Sequence, residues 1–225
     1  MGSKNKLKRF RENETFANVL QPSRAEVLEQ YALKGSWSDF FKNTNPIVLE
    51  LGCGKGEYTL ALARQNPQIN YIGIDIKGAR FWRGAKTALE EGLHNVAFLR
   101  TQIELISSLF AENEVSEIWI TFPDPQIKFK RMKHRLTNPD FLQKYQHILH
   151  NEGVVHLKTD SEYLHGYTLG LLQEGQHEIL YAHHDIYSNP HAPEEATLTK
   201  TFYEQQFLEQ EKAITYVKFR TKYVL

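Results

Sequence analysis

The sequence has one cysteine and no long apolar run, and each shortage excludes a class of protein. Cys53 alone cannot form an internal disulfide or a cysteine-based zinc site, and a single thiol suits a reducing compartment. No apolar stretch approaches the roughly 18 residues that a membrane span requires. The ten histidines show no HExxH spacing. We therefore predict a cytoplasmic protein with no membrane segment and no metal site.

The composition is that of a single globular domain. Hydrophobic residues make up 41% and charged residues 24% of the 225-residue chain, which is enough for a sizeable core. No internal repeat, low-complexity segment or Pro/Gly-rich linker divides the sequence. We predict one domain over residues 1–225, in which residues 1–45 supply a basic N-terminal arm and a leading helical segment.

Positive charge is scarce outside two short stretches, although the formal net charge is zero. Residues 1–11 and residues 128–135 each contain five Lys or Arg and no acid. The remaining 206 residues carry 17 basic and 27 acidic side chains. Cations concentrated on an otherwise acidic body indicate a surface for a polyanion such as nucleic acid. For either stretch alone, a solvated tail or a polar loop is the alternative.

Apolar runs alternate with helical patterns along most of the chain. The predicted strands cover residues 46–51, 71–75, 96–99, 117–122, 153–159, 177–182 and 213–222. The predicted helices cover residues 56–66, 76–91, 104–111, 138–150, 162–173 and 196–210. This alternation predicts an α/β fold whose parallel sheet has helices on both faces and an antiparallel pair at its C-terminal edge. Ligands of such sheets bind beyond the carboxyl ends of the strands.

A glycine-rich loop, LELGCGKGEY (49–58), follows the first predicted strand. Gly52, Gly54 and Gly56 permit a tight turn and a close approach of the backbone to a ligand. A dinucleotide fingerprint needs its third glycine one residue later. Glu50 would repel a pyrophosphate but would favour a cationic amino or sulfonium group. The pattern ExGxGxG resembles the cofactor loop of class I S-adenosylmethionine-dependent methyltransferases, and a purely structural turn is the alternative.

Two polar residues follow the next two predicted strands. Asp75 ends the second strand, where a carboxylate can accept hydrogen bonds from ribose hydroxyls. Gln102 comes just after the third strand, where methyltransferases of this kind contact the adenine, and its amide can both donate and accept at a base edge. An ordinary loop glutamine is nearly as good an interpretation.

An acid held between two prolines ends the fourth predicted strand in the motif TFPDP (121–125). Pro123 and Pro125 fix φ on both sides of Asp124. This motif, with Lys128 and the basic run that ends in HRLT, resembles the signature of bacterial tRNA (guanine-N7)-methyltransferases. LKTD (157–160) and TFYE (201–204) match two further elements of that family in the same order, and the similarity extends over most of the chain.

The resemblance implies a Rossmann-like class I methyltransferase sheet that binds S-adenosyl-L-methionine and methylates N7 of a guanosine in tRNA, in the variable loop. It implies that Asp124 is the catalytic residue. The implied cofactor-binding residues are Glu50, Gly52, Gly54, Gly56, Asp75, Gln102 and Asp124. The implied substrate contacts are Lys128, Asp160, Thr201, Phe202, Tyr203 and Glu204. The implied RNA-interacting residues are Lys130, Arg131, Lys133, His134 and Arg135.

The chain departs from the family pattern at two positions and leaves several alternatives open. Gln102 stands where the family usually has an acid, and Gln126 where it usually has tryptophan.

One alternative is a class I methyltransferase with another acceptor, such as an exocyclic base amine, and another is a non-catalytic RNA-binding protein that kept the fold. The glycine spacing and Glu50 disfavour a nicotinamide-dependent oxidoreductase. The sequence does not distinguish a monomer from a homodimer.

Overall fold

A computed structural model describes residues 3–222, so residues 1–2 and 223–225 of the predicted domain lie outside the described residues. The described chain forms eight β-strands and ten α-helices. The strands are β1 (Val19–Leu20), β2 (Ile47–Leu51), β3 (Asn70–Ile74), β4 (Val96–Leu99), β5 (Val115–Thr121), β6 (Leu149–Thr159), β7 (Glu178–His183) and β8 (Thr215–Arg220). The helices are α1 (Ser3–Asn13), α2 (Arg24–Gln30), α3 (Trp37–Phe41), α4 (Glu57–Gln65), α5 (Gly78–Glu90), α6 (Ile106–Leu109), α7 (Pro139–Ile148), α8 (Glu162–Glu174), α9 (Glu194–Thr197) and α10 (Phe202–Glu209).

The strands form one sheet in the order β1-β4-β3-β2-β5-β6-β8-β7. Strands β1 to β6 pair in parallel, whereas β8 is antiparallel to both β6 and β7. The predicted mostly parallel sheet with an antiparallel C-terminal edge is confirmed. Because β2 to β6 are parallel, their carboxyl ends share one edge of the sheet, where ligands of such folds bind.

Two hydrophobic cores cover the two faces of the sheet, and alternate residues of each strand divide between them. Leu49 of β2 and Ile118 of β5 pack in the core that includes Phe141 of α7. Val48 and Trp119 pack in the other core, with residues of α4 and α5. Glu50 is two residues from Val48 and so lies on the face that α4 covers.

The N-terminal region packs against the sheet and its helices. β1 pairs with β4 through Val19 and Phe98, which adds an edge strand that the sequence pattern did not predict. Helix α1 packs on the start of α5, where the Asn13 side chain donates to the Gly78 carbonyl over 2.9 Å. The basic segment predicted as an arm is therefore a docked helix over the residues that the structure describes.

The prediction of one continuous helix over residues 196–210 is wrong. The structure has two helices in this region, α9 and α10, with a break between them. Thr201 caps α10 by accepting from the Glu204 backbone N–H, and the Glu204 side chain accepts from the Thr201 N–H in return. This capping box starts a new helix at Phe202. The prediction followed the apolar periodicity, which continues across the break. Among the described residues, no helix has the length and apolarity needed to cross a membrane.

Candidate active site

Neighbouring strands meet at the buried carboxylate of Glu50. Near the end of β2, Glu50 accepts hydrogen bonds from the Thr121 hydroxyl at the end of β5, over 2.7 Å, and from the Thr59 backbone N–H, over 2.8 Å. The Thr59 hydroxyl also donates to it. Glu50 is 4% exposed. The two threonines therefore connect β2, β5 and α4 at one point on the carboxyl edge.

Burial raises the pKa of Glu50 from 4.5 to about 7, although the hydrogen bonds from Thr59 and Thr121 act in the opposite direction. The negative charge of Asp75 nearby raises the pKa of Glu50 further. An ionised Glu50 is thus costly in the absence of a positive charge. A cation placed against this carboxylate would offset that cost.

The glycine loop between β2 and α4 has an unusual backbone. Gly52, Gly54 and Gly56 have φ values of 77°, 57° and 76°, in the left-handed region that glycine adopts at little cost. A Cβ added at Gly56 would lie 2.5 Å from the Phe98 ring, so the loop also needs glycine for packing. A Cβ added at Gly52 would meet nothing within 4 Å. The backbone at Gly52 is therefore open to a ligand.

Asp75 ties the glycine loop to the end of β3. Its carboxylate accepts from the Gly54 N–H over 3.1 Å and from the Lys77 N–H over 2.7 Å. The Gly52 N–H donates to the Ile74 carbonyl over 2.8 Å. A carboxylate can accept about four hydrogen bonds. Asp75 therefore retains acceptor capacity for hydroxyl groups beside the loop.

Gln102 is exposed and engaged by another side chain. Its side-chain oxygen accepts from the Arg24 guanidinium of α2 over 2.5 Å. Gln102 follows the end of β4 as predicted, but it does not line the cavity at the glycine loop. No sequence pattern indicated Arg24 as its partner, which lies 78 residues away.

A cavity of about 130 Å³ lies against the glycine loop. The predicted site residues that line it are Glu50, Gly52, Gly54, Thr201 and Tyr203. The beginning of α10 covers this cavity, because the Phe202 N–H donates to the Glu57 carboxylate over 2.9 Å. The Lys55 ammonium lies 4.7 Å from the Phe202 ring centroid. The cavity thus joins the glycine loop to a segment about 150 residues further along the chain.

Asp124 lies on an exposed, conformationally restricted turn after β5. Phe122 and Gln126 both have φ of 47°, a left-handed conformation that is uncommon for residues other than glycine. The Gln126 N–H donates to Asp124 Oδ1 over 3.0 Å. Phe122 lines the cavity, and Asp124 follows it by two residues in the chain. Backbone strain of this kind clusters at functional sites.

Asp160 follows β6, next to the strand that leads to Asp124. The Phe122 N–H donates to the Lys158 carbonyl over 2.8 Å, which holds the ends of β5 and β6 together. The Asp160 carboxylate is 26% exposed and lies 3.9 Å from the Lys212 ammonium. Asp124 and Asp160 therefore follow adjacent strand ends.

Glu204, which the resemblance implied as a substrate contact, has a carboxylate that is fully buried and already paired. Glu204 and Lys158 are 0% exposed, and their charged atoms lie 2.6 Å apart. The Tyr187 hydroxyl also donates to Glu204 over 2.6 Å. Burial lowers the pKa of Lys158, and the Glu204 charge opposes that shift. In this structure Glu204 anchors α10 to β6 and is not available to a substrate.

The basic stretch forms a short 3-10 helix, Phe129–His134, on the surface beyond Asp124. The exposed cations of this stretch are Lys128, Lys130, Arg131 and Lys133. None of these four lies within 4 Å of an acidic group among the described residues, whereas His134 lies 3.8 Å from Glu104. The four side chains are free to meet an anion.

Arg135, which the resemblance implied as an RNA-interacting residue, differs from the rest of the basic stretch because its side chain is buried. It is 2% exposed. Its guanidinium donates to the Gln126 carbonyl over 3.2 Å, to the Ile127 carbonyl over 3.3 Å and to the Tyr163 hydroxyl over 2.7 Å. It also stacks 4.3 Å from the Tyr167 ring centroid. Arg135 therefore stabilises the loop from inside.

Thr59 and Thr121 are the site residues that the sequence analysis missed. Thr121 was visible as the last residue of a predicted strand, immediately before the FPDP motif. Thr59 is the third residue of α4, where backbone N–H groups lack helical partners. Neither position carries a signal that identifies a partner of Glu50.

Comparisons with known proteins identify relatives of this chain. A family profile described as a putative methyltransferase matches residues 44–217. A tRNA (guanine-N(7)-)-methyltransferase from Christiangramia forsetii is 70% identical over 99% of this chain and 100% of its own. A protein of the same name from Porphyromonas gingivalis is 49% identical over 92% of this chain and 85% of its own.

Solved structures share the fold at low sequence identity. The 16S rRNA methyltransferase KamB superposes with a TM-score of 0.63 at 14% identity, over 84% of this chain and 94% of its own. A mutant of the 16S rRNA (adenine(1408)-N(1))-methyltransferase from Catenulisporales acidiphilia, solved with its cosubstrate SAM, has a TM-score of 0.56 at 11% identity, over 84% of this chain and 92% of its own.

The sheet order and the glycine loop define a methyltransferase of the Rossmann-like class. At the level of the particular family, the chain belongs to the tRNA (guanine-N7)-methyltransferases.

Proposed function

We propose that this protein transfers a methyl group from S-adenosyl-L-methionine to N7 of a guanosine in tRNA, in the cytoplasm. The observation that carries the proposal is the buried Glu50 carboxylate beside an open glycine loop and a cavity, with Asp124 two residues after Phe122, which lines that cavity. The names of the relatives supply the acceptor, and the exposed cations beyond Asp124 supply a surface for its phosphates.

The residues at the loop fit the proposed cofactor. Glu50 offers a buried carboxylate to a positively charged amino or sulfonium group, and Asp75 retains acceptor capacity for ribose hydroxyls. The space above Gly52 lets a ligand approach the backbone. When bound, S-adenosyl-L-methionine supplies an electrophilic methyl group on a sulfonium. The cavity of about 130 Å³ is smaller than most ligand pockets.

The acceptor chemistry needs positioning more than proton removal. N7 of guanine has an in-plane lone pair and no proton, so no strong general base is required. Holding the reacting groups in line can lower a barrier by roughly 7–11 kcal/mol in favourable cases. The product base is cationic, and the Asp124 carboxylate would stabilise that charge as it develops. Asp124 and Asp160 can accept from the N1–H and N2–H₂ donors of guanine, which favours guanine over adenine.

Methyl transfer to unmodified tRNA transcripts tests the proposal. The protein is incubated with a labelled methyl donor, and the labelled nucleoside is identified and mapped. We expect N7-methylguanosine at one position of the tRNA. A matched transcript with 7-deazaguanosine at that position lacks the acceptor nitrogen and should take up no label. Label on another atom, or none on the unmodified transcript, would contradict the proposal.

A further inference from the structure

The basic stretch displays large apolar side chains as well as charges. Phe129 is 82% exposed, the highest value among the large hydrophobic residues that the structure describes. Ile127 is 64% exposed on the same loop. Apolar groups gathered on an exposed surface commonly mark a binding site. The loop therefore offers an aromatic face to a partner, in addition to positive charge.

The charges around Phe129 specify the kind of partner. Lys128 and Lys130 flank it in sequence, with Arg131 and Lys133 on the next turn, and none of these cations has an acidic neighbour within 4 Å among the described residues. A partner that matches this surface carries regularly spaced negative charges and flat apolar groups. Single-stranded nucleic acid has both, in its phosphates and its unstacked bases.

The loop that carries Phe129 is held in place from inside. Arg135 donates to the carbonyls of Gln126 and Ile127, and the Asn138 side chain donates to the Lys133 carbonyl over 2.7 Å. These bonds fix both ends of the segment. A surface that is ordered before binding loses little conformational entropy when a partner docks.

The same bonds relate the loop to the proposed catalytic residue. The Gln126 carbonyl accepts from Arg135, and the Gln126 N–H donates to Asp124 over 3.0 Å. Phe129 therefore stands on the segment that also holds Asp124. A base bound at Phe129 would be placed at a defined distance along the RNA from the base at Asp124.

We propose that Phe129 is a stacking platform for an unpaired nucleobase of the substrate RNA, on the same loop that carries Asp124. The inference rests on the proposed function, because it takes RNA as the substrate. Stacking is tolerant of base identity, since every base has a π face. Phe129 thus recognises that the RNA is unpaired at this point, while the neighbouring cations hold its backbone.

Binding measurements with single substitutions test the stacking proposal. The affinity of Phe129→Ala for a tRNA transcript should be about tenfold weaker than that of the unsubstituted protein, because a stacking contact is lost. Phe129→Tyr keeps a ring and should restore the affinity. Ile127→Ala removes exposed apolar area without removing a ring, and should change the affinity by less than about twofold.

The salt dependence separates stacking from phosphate contacts. Phe129→Ala should leave the slope of log K against log salt unchanged, whereas Arg131→Ala should make it shallower by about 0.7–0.9. On a fully paired RNA duplex of matched length, Phe129→Ala should bind as well as the unsubstituted protein. A loss on the duplex equal to that on tRNA would overturn the proposal.

Two further outcomes count against the proposal and leave the proposed function intact. One is that the unsubstituted protein methylates tRNA while Phe129→Ala binds it with the same affinity. The other is that sedimentation shows a dimer that Phe129→Ala dissociates, which would make this surface a contact between two copies of the chain. If the unsubstituted protein neither binds nor methylates tRNA, the proposed function fails with it.

Discussion

At the scale of single residues, Glu50 has an unusual electrostatic environment for a carboxylate. It is buried, it accepts from Thr59 and Thr121, and burial raises its pKa to about 7. A structural role alone would be served as well by glutamine, which can make similar hydrogen bonds without a charge. A carboxylate kept in a costly place is more useful to a ligand that brings a positive charge.

Glu50→Gln should therefore stabilise the ligand-free protein in a pH-dependent way. The folded-state pKa of Glu50 lies above its unfolded value, so the stability that it contributes is present below about pH 4.5 and is lost as pH rises through about 7. At pH 8 we expect the substitution to raise the free energy of unfolding by on the order of 3 kcal/mol, and by much less at pH 5. Urea denaturation at both values measures the difference.

Two further measurements complete the Glu50 test. Glu112→Gln removes an exposed carboxylate and should leave the free energy of unfolding within about 0.5 kcal/mol at either pH. Glu50→Gln should also weaken the binding of S-adenosylhomocysteine, whose amino group is cationic. An equal stability gain at pH 5 and pH 8 would show that the charge of Glu50 is not the cause.

At the scale of elements, the loop between β5 and α7 depends on Arg135. Its guanidinium satisfies two loop carbonyls and stacks on tyrosine rings of α8. Arg135→Gln should lower the free energy of unfolding by about 2 kcal/mol, because hydrogen bonds to a charged group are lost and the carbonyls are left unpaired. Chemical denaturation provides the measurement.

The matched control for Arg135 is an exposed cation of the same stretch. Arg131→Gln should change the free energy of unfolding by less than about 0.5 kcal/mol while it weakens tRNA binding. If the two substitutions lower the free energy of unfolding equally, Arg135 does not stabilise the loop. If Arg135→Gln only weakens tRNA binding, the original prediction of a surface contact is correct.

Helix α10 depends on the buried pair of Lys158 and Glu204. Glu204→Gln leaves the Lys158 charge without a buried partner, and we expect it to lower the free energy of unfolding by roughly 3–5 kcal/mol. Glu209→Gln, on the exposed side of the same helix, should have little effect. A stable Glu204→Gln protein with weakened substrate binding would support Glu204 as a substrate contact instead.

The elements that the sequence predicted well are those whose pattern is local. Buried parallel strands have continuous apolar runs, so β2, β3 and β4 were placed to within about one residue. Asn138 and Pro139 marked the start of α7, and Asn138 accepts from the Phe141 N–H as its cap. The two-residue strand β1 is too short to show a period, and only its pairing with β4 defines it.

The functions of charged residues were harder to predict because their partners are distant in the chain. Arg135 reads as one more cation of a basic run, and Tyr163, which accepts from it, lies 28 residues away. Glu204 reads as a motif acid, yet Lys158 on β6 neutralises it. A sequence shows which side chains are charged, but only the packed structure shows which of those charges are already paired.

At the scale of the whole molecule, charge and topology combine at one edge of the sheet. The parallel strands β2 to β6 place Glu50, Asp75, Asp124 and Asp160 at the same edge of the sheet, although 110 positions separate the first from the last. Helix α1 brings a second set of cations to the start of α5, which follows Asp75. The cations of α1 and of residues 128–135 thus flank a site that contains several carboxylates. This arrangement suits a cationic cofactor next to a polyanionic substrate.

The most direct test of this account is the single-turnover rate of methyl transfer to tRNA by Asp124→Ala. We expect the rate to fall by about 100-fold or more, because a charge that stabilises the transition state is removed. The affinity for tRNA and the thermal shift with S-adenosylhomocysteine should stay close to those of the unsubstituted protein. A single-turnover rate within about threefold of the unsubstituted protein, with tRNA binding intact, would contradict the catalytic role of Asp124 and the site built around it.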